Sequence, residues 1–315
     1  MKYLKTFAIV IAAMLIFVGC KKTDDKKSEE KPETTVKTEE KKEETKEDSK
    51  EESTGFSGEI HVVSREVGSG TRGAFTEITK ILTKNDKGEE VDNTYEEATI
   101  VNATDGVITA VNGDEKGIGY ISLGSLNDDV KAVKVDGVEA TPENIIAGDY
   151  KIARPFMLAY HEEKLSDIAK DFIKFILSKD GQEIVKADGC IPMDTTEEYK
   201  PANVEGRIAI AGSTSVTPLM EKLVDKYKEL NPGFEADIQS NGSSAGIQAA
   251  TEGVAEIGMS SRALKPEELE KVQSVTIAMD GIAVIVNNDN PIDDITLDNI
   301  HNIFVGDAKD WSEVE

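Results

Sequence analysis

Short apolar runs alternate along the chain with longer segments in which apolar residues recur every three or four positions. The first pattern is typical of buried strands and the second of amphipathic helices. The predicted strands are Ile60–Val63, Ile118–Ser122, Ile208–Ala211, Ala236–Gln239, Glu256–Met259 and Ile282–Val286. The predicted helices are Thr71–Leu82, Ala103–Val111, Lys164–Leu177, Gly181–Ala187, Val216–Leu230, Ala245–Glu252, Pro266–Lys271 and Leu297–Phe304. This alternation predicts an α/β fold with largely parallel sheets.

A glycine-rich turn, Gly68-Ser-Gly-Thr71, joins the first predicted strand to the first predicted helix. Unpaired N–H groups and the helix dipole attract an anion to such a helix N-terminus. Ser69 and Thr71 add hydroxyl donors, and Arg65 adds a guanidinium that suits a tetrahedral oxyanion. Taken alone, such a turn is usually only a helix cap.

The same strand–turn–helix unit occurs twice more. Its turns are Gly212-Ser-Thr-Ser215 and Asn241-Gly-Ser-Ser-Ala-Gly246. Ligands of open α/β sheets bind at the carboxyl ends of the strands, where all three turns are expected. The repetition therefore predicts that several helix N-termini converge on one small anion.

The N-terminal segment has the features of a secretory signal. Lys2 and Lys5 precede an apolar run from Phe7 to Val18, which is too short for a typical membrane span. The ending Ile-Phe-Val-Gly-Cys resembles a bacterial lipobox, which implies that residues 1–20 are a lipoprotein signal peptide and that Cys20 is acylated. The alternative is an ordinary signal peptide with a chance cysteine. With the lipid anchor, the chain is expected on the extracytoplasmic face of the bacterial cell membrane.

Residues 21–55 are rich in Lys and Glu, and Val36 is the only aliphatic residue up to Thr54. Such a segment cannot bury enough apolar surface to fold alone. We expect a disordered linker that holds the remaining residues away from the membrane.

The chain has 315 residues, a length that suggests two domains. Its charge limits the partners that it can bind. It carries 61 acidic and 36 basic residues, a net charge of −25. Nucleic acid is therefore not an expected partner, and an anion must be held by local dipoles and hydrogen bonds. The chain is expected to be a monomer.

The residues that usually carry catalysis are scattered. Cys20 and Cys190 form no disulfide framework, and the histidines, His61, His161 and His301, suggest no metal site. We expect Cys190 to be a small buried residue. No phosphate-binding G-x-x-x-x-G-K-[ST] loop and no Ser/His/Asp set are present. These observations argue against a phosphate-ester hydrolase or transferase, and no cofactor or metal is expected.

Six segments taken together resemble the PstS-type phosphate-binding proteins, the extracytoplasmic receptors of bacterial phosphate ABC transporters. They are Arg65-Glu-Val-Gly-Ser-Gly-Thr-Arg72, Gly212-Ser-Thr-Ser-Val-Thr-Pro218, Asn241-Gly-Ser-Ser-Ala-Gly246, Ile257-Gly-Met-Ser-Ser-Arg262, Asp280-Gly-Ile-Ala-Val-Ile-Val-Asn287 and Ile303-Phe-Val-Gly-Asp with Trp311-Ser-Glu-Val314. The resemblance covers residues 56–315. In that family the Gly-Ser-Thr-Ser segment comes first, whereas here the Arg65 segment does. The order predicts a circular permutation; a truncated tandem repeat or a misassembled gene would be the alternative.

The resemblance implies a two-lobed, type II periplasmic-binding-protein-like α/β fold that closes on its ligand. Ala153–Tyr160 and Ile282–Asn287 would be the crossover strands. One lobe would be continuous, residues 153–282, and the other discontinuous, residues 56–152 with 283–315.

The resemblance also implies a set of phosphate ligands on the three turns. They are Arg65, Ser69, Gly70, Thr71, Thr214, Ser215 and Ser243. Some family members have an aspartate at the position of Ser261, where it accepts the proton of phosphate. Here that acceptor is unassigned, with Asp280 as first candidate and Glu66 as second.

Other interpretations of these charged residues remain open. Glu66 could instead orient Arg65, and Asp280 could cap a turn. Arg72 and Arg262 are expected at the rim or in salt bridges between the lobes.

The function implied by the resemblance is a lipid-anchored, non-catalytic receptor for inorganic phosphate. It would deliver phosphate to the permease subunits of an ABC transporter. The alternatives are a receptor for another tetrahedral oxyanion, such as sulfate or molybdate, and a surface phosphate sensor or adhesin without transport.

Overall fold

The computed structural model describes residues 55–202 and 204–314. The predicted signal peptide, Cys20 and the linker up to Thr54 lie outside these residues. Within them, no helix is both long and apolar enough to cross a membrane.

Strands and helices alternate through most of the described chain, which confirms the predicted α/β class. The strands are β1 (His61–Arg65), β2 (Leu82–Lys84), β3 (Glu90–Asp92), β4 (Thr99–Val101), β5 (Gly117–Ser122), β6 (Lys131–Ala132), β7 (Lys134–Val135), β8 (Ala153–Tyr160), β9 (Ile191–Pro192), β10 (Gly206–Gly212), β11 (Phe234–Ser240), β12 (Ile257–Ser260), β13 (Gln273–Val286) and β14 (Asp294–Ile295). The helices are α1 (Gly70–Ile78), α2 (Thr104–Asn112), α3 (Pro142–Ala147), α4 (Asp167–Leu177), α5 (Lys179–Ala187), α6 (Thr217–Leu230), α7 (Ser243–Glu252), α8 (Pro266–Leu269) and α9 (Leu297–Val305).

One large sheet organises the fold, with the strand order β11-β10-β12-β8-β13-β5-β1-β4. The strands β10, β11 and β12 are parallel to one another, as are β1, β4 and β5. The two central strands, β8 and β13, pair with their neighbours in antiparallel fashion. The expectation of largely parallel sheets therefore holds towards the two edges and is wrong at the centre.

Two large hydrophobic cores lie along this sheet. The first core is built from residues between 156 and 278, including the helices α4 and α6. The second core combines residues 60–152 with residues 282–314, including α1 and α9. Smaller apolar clusters pack α2 and α7 against the sheet. The chain passes between the two cores twice, in β8 and in β13.

The helix predicted for Thr71–Leu82 ends earlier than expected. In the structure α1 ends at Ile78, and Lys80 has a positive φ of 60°, which breaks the helix. The buried Ile81 continues the helical spacing of apolar residues although it lies outside the helix. The prediction of helix for residues 79–82 is therefore wrong, and Leu82 begins the hairpin of β2 and β3.

The helix predicted from Lys164 begins three residues later, at Asp167. The Ser166 hydroxyl accepts a hydrogen bond from the Ala169 N–H and so caps α4. The other predicted strands and helices are present, with ends shifted by a few residues; β13 alone is much longer than its predicted part.

Candidate functional site

Three helices begin directly beyond the carboxyl ends of sheet strands. The strand β1 leads to α1, β10 leads to α6, and β11 leads to α7. The Ser69 hydroxyl caps α1 by accepting from the Arg72 N–H, whereas no side chain caps α6 or α7. The first backbone N–H groups of these two helices are partly used within the protein, since the Thr217 N–H donates to the Ser213 carbonyl oxygen. The helix dipoles of α6 and α7 nevertheless favour an anion at these ends.

The structure brings the turn before α1 against the turn before α6. The hydroxyl oxygens of Thr71 and Ser215 lie 2.9 Å apart, and both side chains are buried. The Arg65 Nη2 donates to the Thr214 hydroxyl at 3.0 Å. Since α1 packs in the second core and α6 in the first, these contacts join the two cores.

The guanidinium of Arg65 is rigidly held, with 2% of the residue exposed. Its Nε and Nη2 donate to the two carboxylate oxygens of Glu66 at 2.7 and 2.8 Å. The Arg65 N–H donates to the Tyr120 hydroxyl, which also hydrogen-bonds the Ser64 hydroxyl. This geometry matches the interpretation in which Glu66 orients Arg65.

The third turn approaches Gly70 closely. The Ser243 hydroxyl accepts from the Ser261 N–H at 3.0 Å and lies 3.3 Å from the Ser261 hydroxyl. A Cβ atom on Gly70 would lie 2.2 Å from the Ser243 Oγ and 2.6 Å from the Ser261 Oγ. Close by, the Ser244 N–H donates to the Gly68 carbonyl oxygen. Only glycine fits at position 70 in this arrangement.

The two outer arginines are held by carboxylates. The Arg72 Nε donates to Asp92 at 2.8 Å, and its Nη1 donates to the Arg65 carbonyl oxygen. Arg262 makes two hydrogen bonds of 2.8 Å to Glu268. Both arginines line a cavity of about 760 Å³ that extends from Gly68 to the β2–β3 hairpin. The cavity is not lined by the residues that we call the hydroxyl cluster, which are Thr71, Thr214 and Ser215.

Asp280 lies in the middle of β13, so its interpretation as a turn cap is wrong. Its Oδ2 accepts from the Ser122 hydroxyl at 2.9 Å and from the Arg154 Nη2 at 3.0 Å. Burial raises the pKa of Asp280, against the opposing effect of Arg154. Its hydrogen bonds within the described chain join it to neither Arg65 nor Thr71, and its carboxylate is the counter-ion of Arg154.

Thr104 is a residue of the cluster that the sequence analysis missed. It is buried at the first position of α2, with its hydroxyl 3.3 Å from the Ser215 Oγ and 3.4 Å from the Thr214 Oγ1. The available signal was the β-branched run Thr99-Ile-Val101 just before a predicted helix. Its connecting residues lack the Gly/Ser pattern of the other turns. A fourth helix N-terminus therefore reaches the cluster.

Cys190 is a buried free thiol, as predicted. Burial raises the pKa of this thiol well above its usual value, so it is protonated at neutral pH and unreactive.

Comparison with known proteins identifies the family. A PBP superfamily domain model matches residues 30–180 and 197–315. The phosphate-binding protein PstS 2 of Streptococcus agalactiae serotype V is 47% identical over 263 residues, which are 83% of this chain and 90% of that protein. PstS 2 of Streptococcus pneumoniae serotype 4 is 48% identical over 260 residues, 82% of this chain and 89% of that protein. The chain belongs to the PstS family of phosphate-binding proteins.

A solved PstS-family structure agrees with this assignment. It is the crystal structure of a phosphate-binding protein of a phosphate ABC transporter from Streptococcus pneumoniae TIGR4. It superposes with a TM-score of 0.66 at 47% identity and covers 82% of this chain and 100% of that chain. The predicted PBP-like α/β fold is therefore confirmed.

Alignments within the PstS family differ in extent. The single alignment to the S. agalactiae protein spans most of both chains, so the two proteins share one order of segments. The PstS of Pseudomonas aeruginosa is 33% identical over only 134 residues, which are 38% of this chain and 42% of that protein. Circular permutation relative to such members stays a prediction.

Proposed function

We propose that the chain binds inorganic phosphate between two lobes and delivers it to the permease subunits of a bacterial phosphate ABC transporter. The proposed lobes are residues 153–282 and residues 56–152 with 283–315; the first core lies within the former, and the second core, apart from Ile282, lies within the latter. The observation that carries the proposal is the contact of Arg65 and Thr71 with Thr214 and Ser215 across the cores. The names of the relatives support phosphate as the ligand.

The proposed site holds phosphate mainly through neutral donors. Hydroxyls and backbone N–H groups at helix N-termini surround one guanidinium, and the guanidinium charge is balanced by Glu66. Hydrogen bonds to an ionised oxygen are strong in such a buried place, which lets the site work against the net charge of −25. The proposed ligands are Arg65, Ser69, Gly70, Thr71, Thr214, Ser215 and Ser243.

Binding is proposed to close the lobes on the anion. The donors that would surround it come from both cores, so neither lobe alone offers a complete set. An anion that prefers the closed arrangement shifts the population towards it.

A second candidate ligand is a fully ionised oxyanion such as sulfate or molybdate. The observation that favours it is that each candidate acceptor is already paired with an arginine: Glu66 with Arg65, and Asp280, through its Oδ2, with Arg154. Hydrogen phosphate brings a proton that needs an acceptor, whereas sulfate does not. In the phosphate proposal, a rotatable hydroxyl or a remaining lone pair of Glu66 accepts this proton.

The proposed setting is the extracytoplasmic face of the cell membrane. Acylated Cys20 would anchor the chain, and residues 21–55 would act as the tether. The receptor is proposed to be monomeric and non-catalytic, without a cofactor. A Cys20→Ser variant should move the protein from the membrane fraction to the medium.

Calorimetric titration of residues 21–315 near pH 7, after removal of bound anion, tests the ligand. We expect one phosphate site of micromolar or tighter affinity and no sulfate heat. Equal binding of sulfate would support the second candidate, and binding of neither would reject both. Arg65→Lys should weaken phosphate binding, whereas Arg207→Lys, at an exposed ion pair, should not.

A further inference from the structure

Arg154 and Asp280 form a buried ion pair across the two central strands. Arg154 lies on β8 and Asp280 on β13, directly opposite each other in the strand register. Their side chains are 1% and 0% exposed. The proposed function uses neither of them as a ligand.

The pair stands at the boundary between the two cores. Ile152, directly before β8, belongs to the second core, and Phe156, on β8, belongs to the first. On β13, Ala278 belongs to the first core and Ile282 to the second. The ion pair therefore lies where both strands leave one core and enter the other.

The hydrogen bonds of the pair are concentrated on one oxygen. The Asp280 Oδ2 accepts from the Arg154 Nε at 3.2 Å, from its Nη2 at 3.0 Å and from the Ser122 hydroxyl at 2.9 Å. The Arg154 Nη1 is buried and has no hydrogen-bond partner within the described chain. This is not the parallel two-bond arrangement that a guanidinium and a carboxylate usually prefer.

Stability alone is a poor explanation for the pair. The free energy needed to remove two charges from water is about as large as the free energy gained from their attraction. Apolar residues of similar size are therefore often at least as stabilising. A buried pair can instead select one geometry among several, because a misplaced charge is strongly unfavourable there.

One strand end connects the pair to the proposed anion site. Ser122, which donates to Asp280, is the last residue of β5. Two positions earlier on β5, the Tyr120 hydroxyl contacts the Ser64 hydroxyl and the Arg65 N–H. Burial lowers the pKa of Arg154, and the nearby charge of Arg65 lowers it further. The boundary and the anion site are thus linked by a continuous chain of contacts.

We propose that Arg154 and Asp280 are positioning residues that fix the angle between the two cores at which Arg65 meets Thr214. They act from behind the site, without touching the anion. The proposal rests on the proposed function, because anion binding is the event that depends on this angle.

The test is a double variant, Arg154→Met with Asp280→Leu, which replaces the ion pair by apolar residues of similar size. We expect a melting temperature within a few degrees of the unchanged chain, a phosphate Kd raised by about tenfold or more, and less compaction on adding phosphate in small-angle X-ray scattering. The matched control, Arg207→Gln with Asp237→Asn, removes an exposed ion pair and should leave the Kd and the scattering unchanged.

An unchanged Kd together with unchanged scattering in the double variant would overturn the proposal. The single variant Asp280→Asn should lower the melting temperature, because it leaves a buried charge unpaired, without giving the chain any sulfate binding. A lost preference for phosphate in that variant would identify Asp280 as the proton acceptor and also overturn the proposal. If the unchanged chain bound no phosphate, the proposed function would fail. The double variant would still test the role of the ion pair without ligand. Its radius of gyration from scattering should exceed that of the unchanged chain, and an equal radius would overturn the proposal.

Discussion

The hydroxyl oxygens of Thr71 and Ser215 lie 2.9 Å apart, although 144 positions separate them in the chain. The two residues lie at the N-termini of helices that pack in different hydrophobic cores. Their contact therefore depends on how the cores are arranged, and it offers a direct way to test the proposed site.

Thr71→Val should weaken phosphate binding by roughly 10- to 150-fold, because a hydrogen bond to a charged group contributes about 1.5–3 kcal/mol. Calorimetry measures the change. Thr76→Val is the matched control, since within the described residues the Thr76 hydroxyl donates only to carbonyl oxygens of its own helix. Equal losses in the two variants would indicate damage to α1 rather than a lost ligand.

Gly70→Ala should largely abolish phosphate binding. The added Cβ would lie 2.2 Å from the Ser243 Oγ, so the turn before α1 could not reach its position against α7. Gly73→Ala is the control, because its Cβ would meet only the flexible side chain of Arg262, at 3.3 Å. If phosphate binding survived Gly70→Ala, the turns before α1 and α7 would not need to meet for phosphate to bind.

Glu66→Gln should weaken phosphate binding and leave sulfate unbound. The Glu66 carboxylate holds Arg65 through two hydrogen bonds, and an amide can accept only one of them well. Competition titrations with both anions provide the measurement. A gain of sulfate binding would instead show that Glu66 accepts the phosphate proton, because a neutral amide no longer repels a fully ionised anion.

The three donor turns could be predicted because their signal is local. Each consists of an apolar run, a few small polar residues and a helical pattern, all adjacent in sequence. Thr71, Thr214 and Ser243 were found in this way. Thr104 was missed because the turn before it, which passes through Ala103, lacks glycine and serine at its centre.

Other features depend on contacts between distant residues. Arg154 faces Asp280 across 126 positions, through a strand register that one sequence does not reveal. Residues 79–82 are predicted as helix because Ile81 fits a helical period, although Leu82 begins a hairpin in the structure. In both cases tertiary pairing decides the structure and local pattern does not.

Acid should destabilise the chain partly through Glu268. Burial would raise the pKa of Glu268, but hydrogen bonds from Arg262 and the Lys265 N–H outweigh it and lower the pKa below its usual 4.5. The stability that this carboxylate provides is therefore present above about pH 4.5 and is lost as the pH falls through its lower folded-state value.

The expected result is a melting temperature that falls as the pH drops below about 4.5. Glu268→Gln should make that fall shallower and lower the melting temperature at pH 7, as followed by circular dichroism. Glu267→Gln, at the exposed neighbouring position, is the control. If the melting temperatures of both variants fell with pH in the same way, Glu268 would not contribute to the acid destabilisation.

Restoring the segment order of other family members should cost little affinity. Joining residue 314 to residue 56 and opening the chain near residue 203 leaves all donor turns intact, and Gly58 already contacts Asp310 and Trp311. We expect a phosphate Kd within about threefold of the original. A strong gain in affinity would mean that the present order loosens the closed arrangement.

The contact between Gly58 and Trp311 also determines how the fold carries mechanical load. Tension applied through the chain before residue 55 first reaches a short clamp, in which the Trp311 N–H donates to the Gly58 carbonyl and the Ile60 N–H to the Lys309 carbonyl. The bond to Gly58 lies nearer the pulled end than the bond from Ile60, so we expect the two to break in that order, whereas β1 is held on both sides by β4 and β5. If the proposed lipid anchor holds the chain, a pull on it would therefore open this clamp before it reached β1.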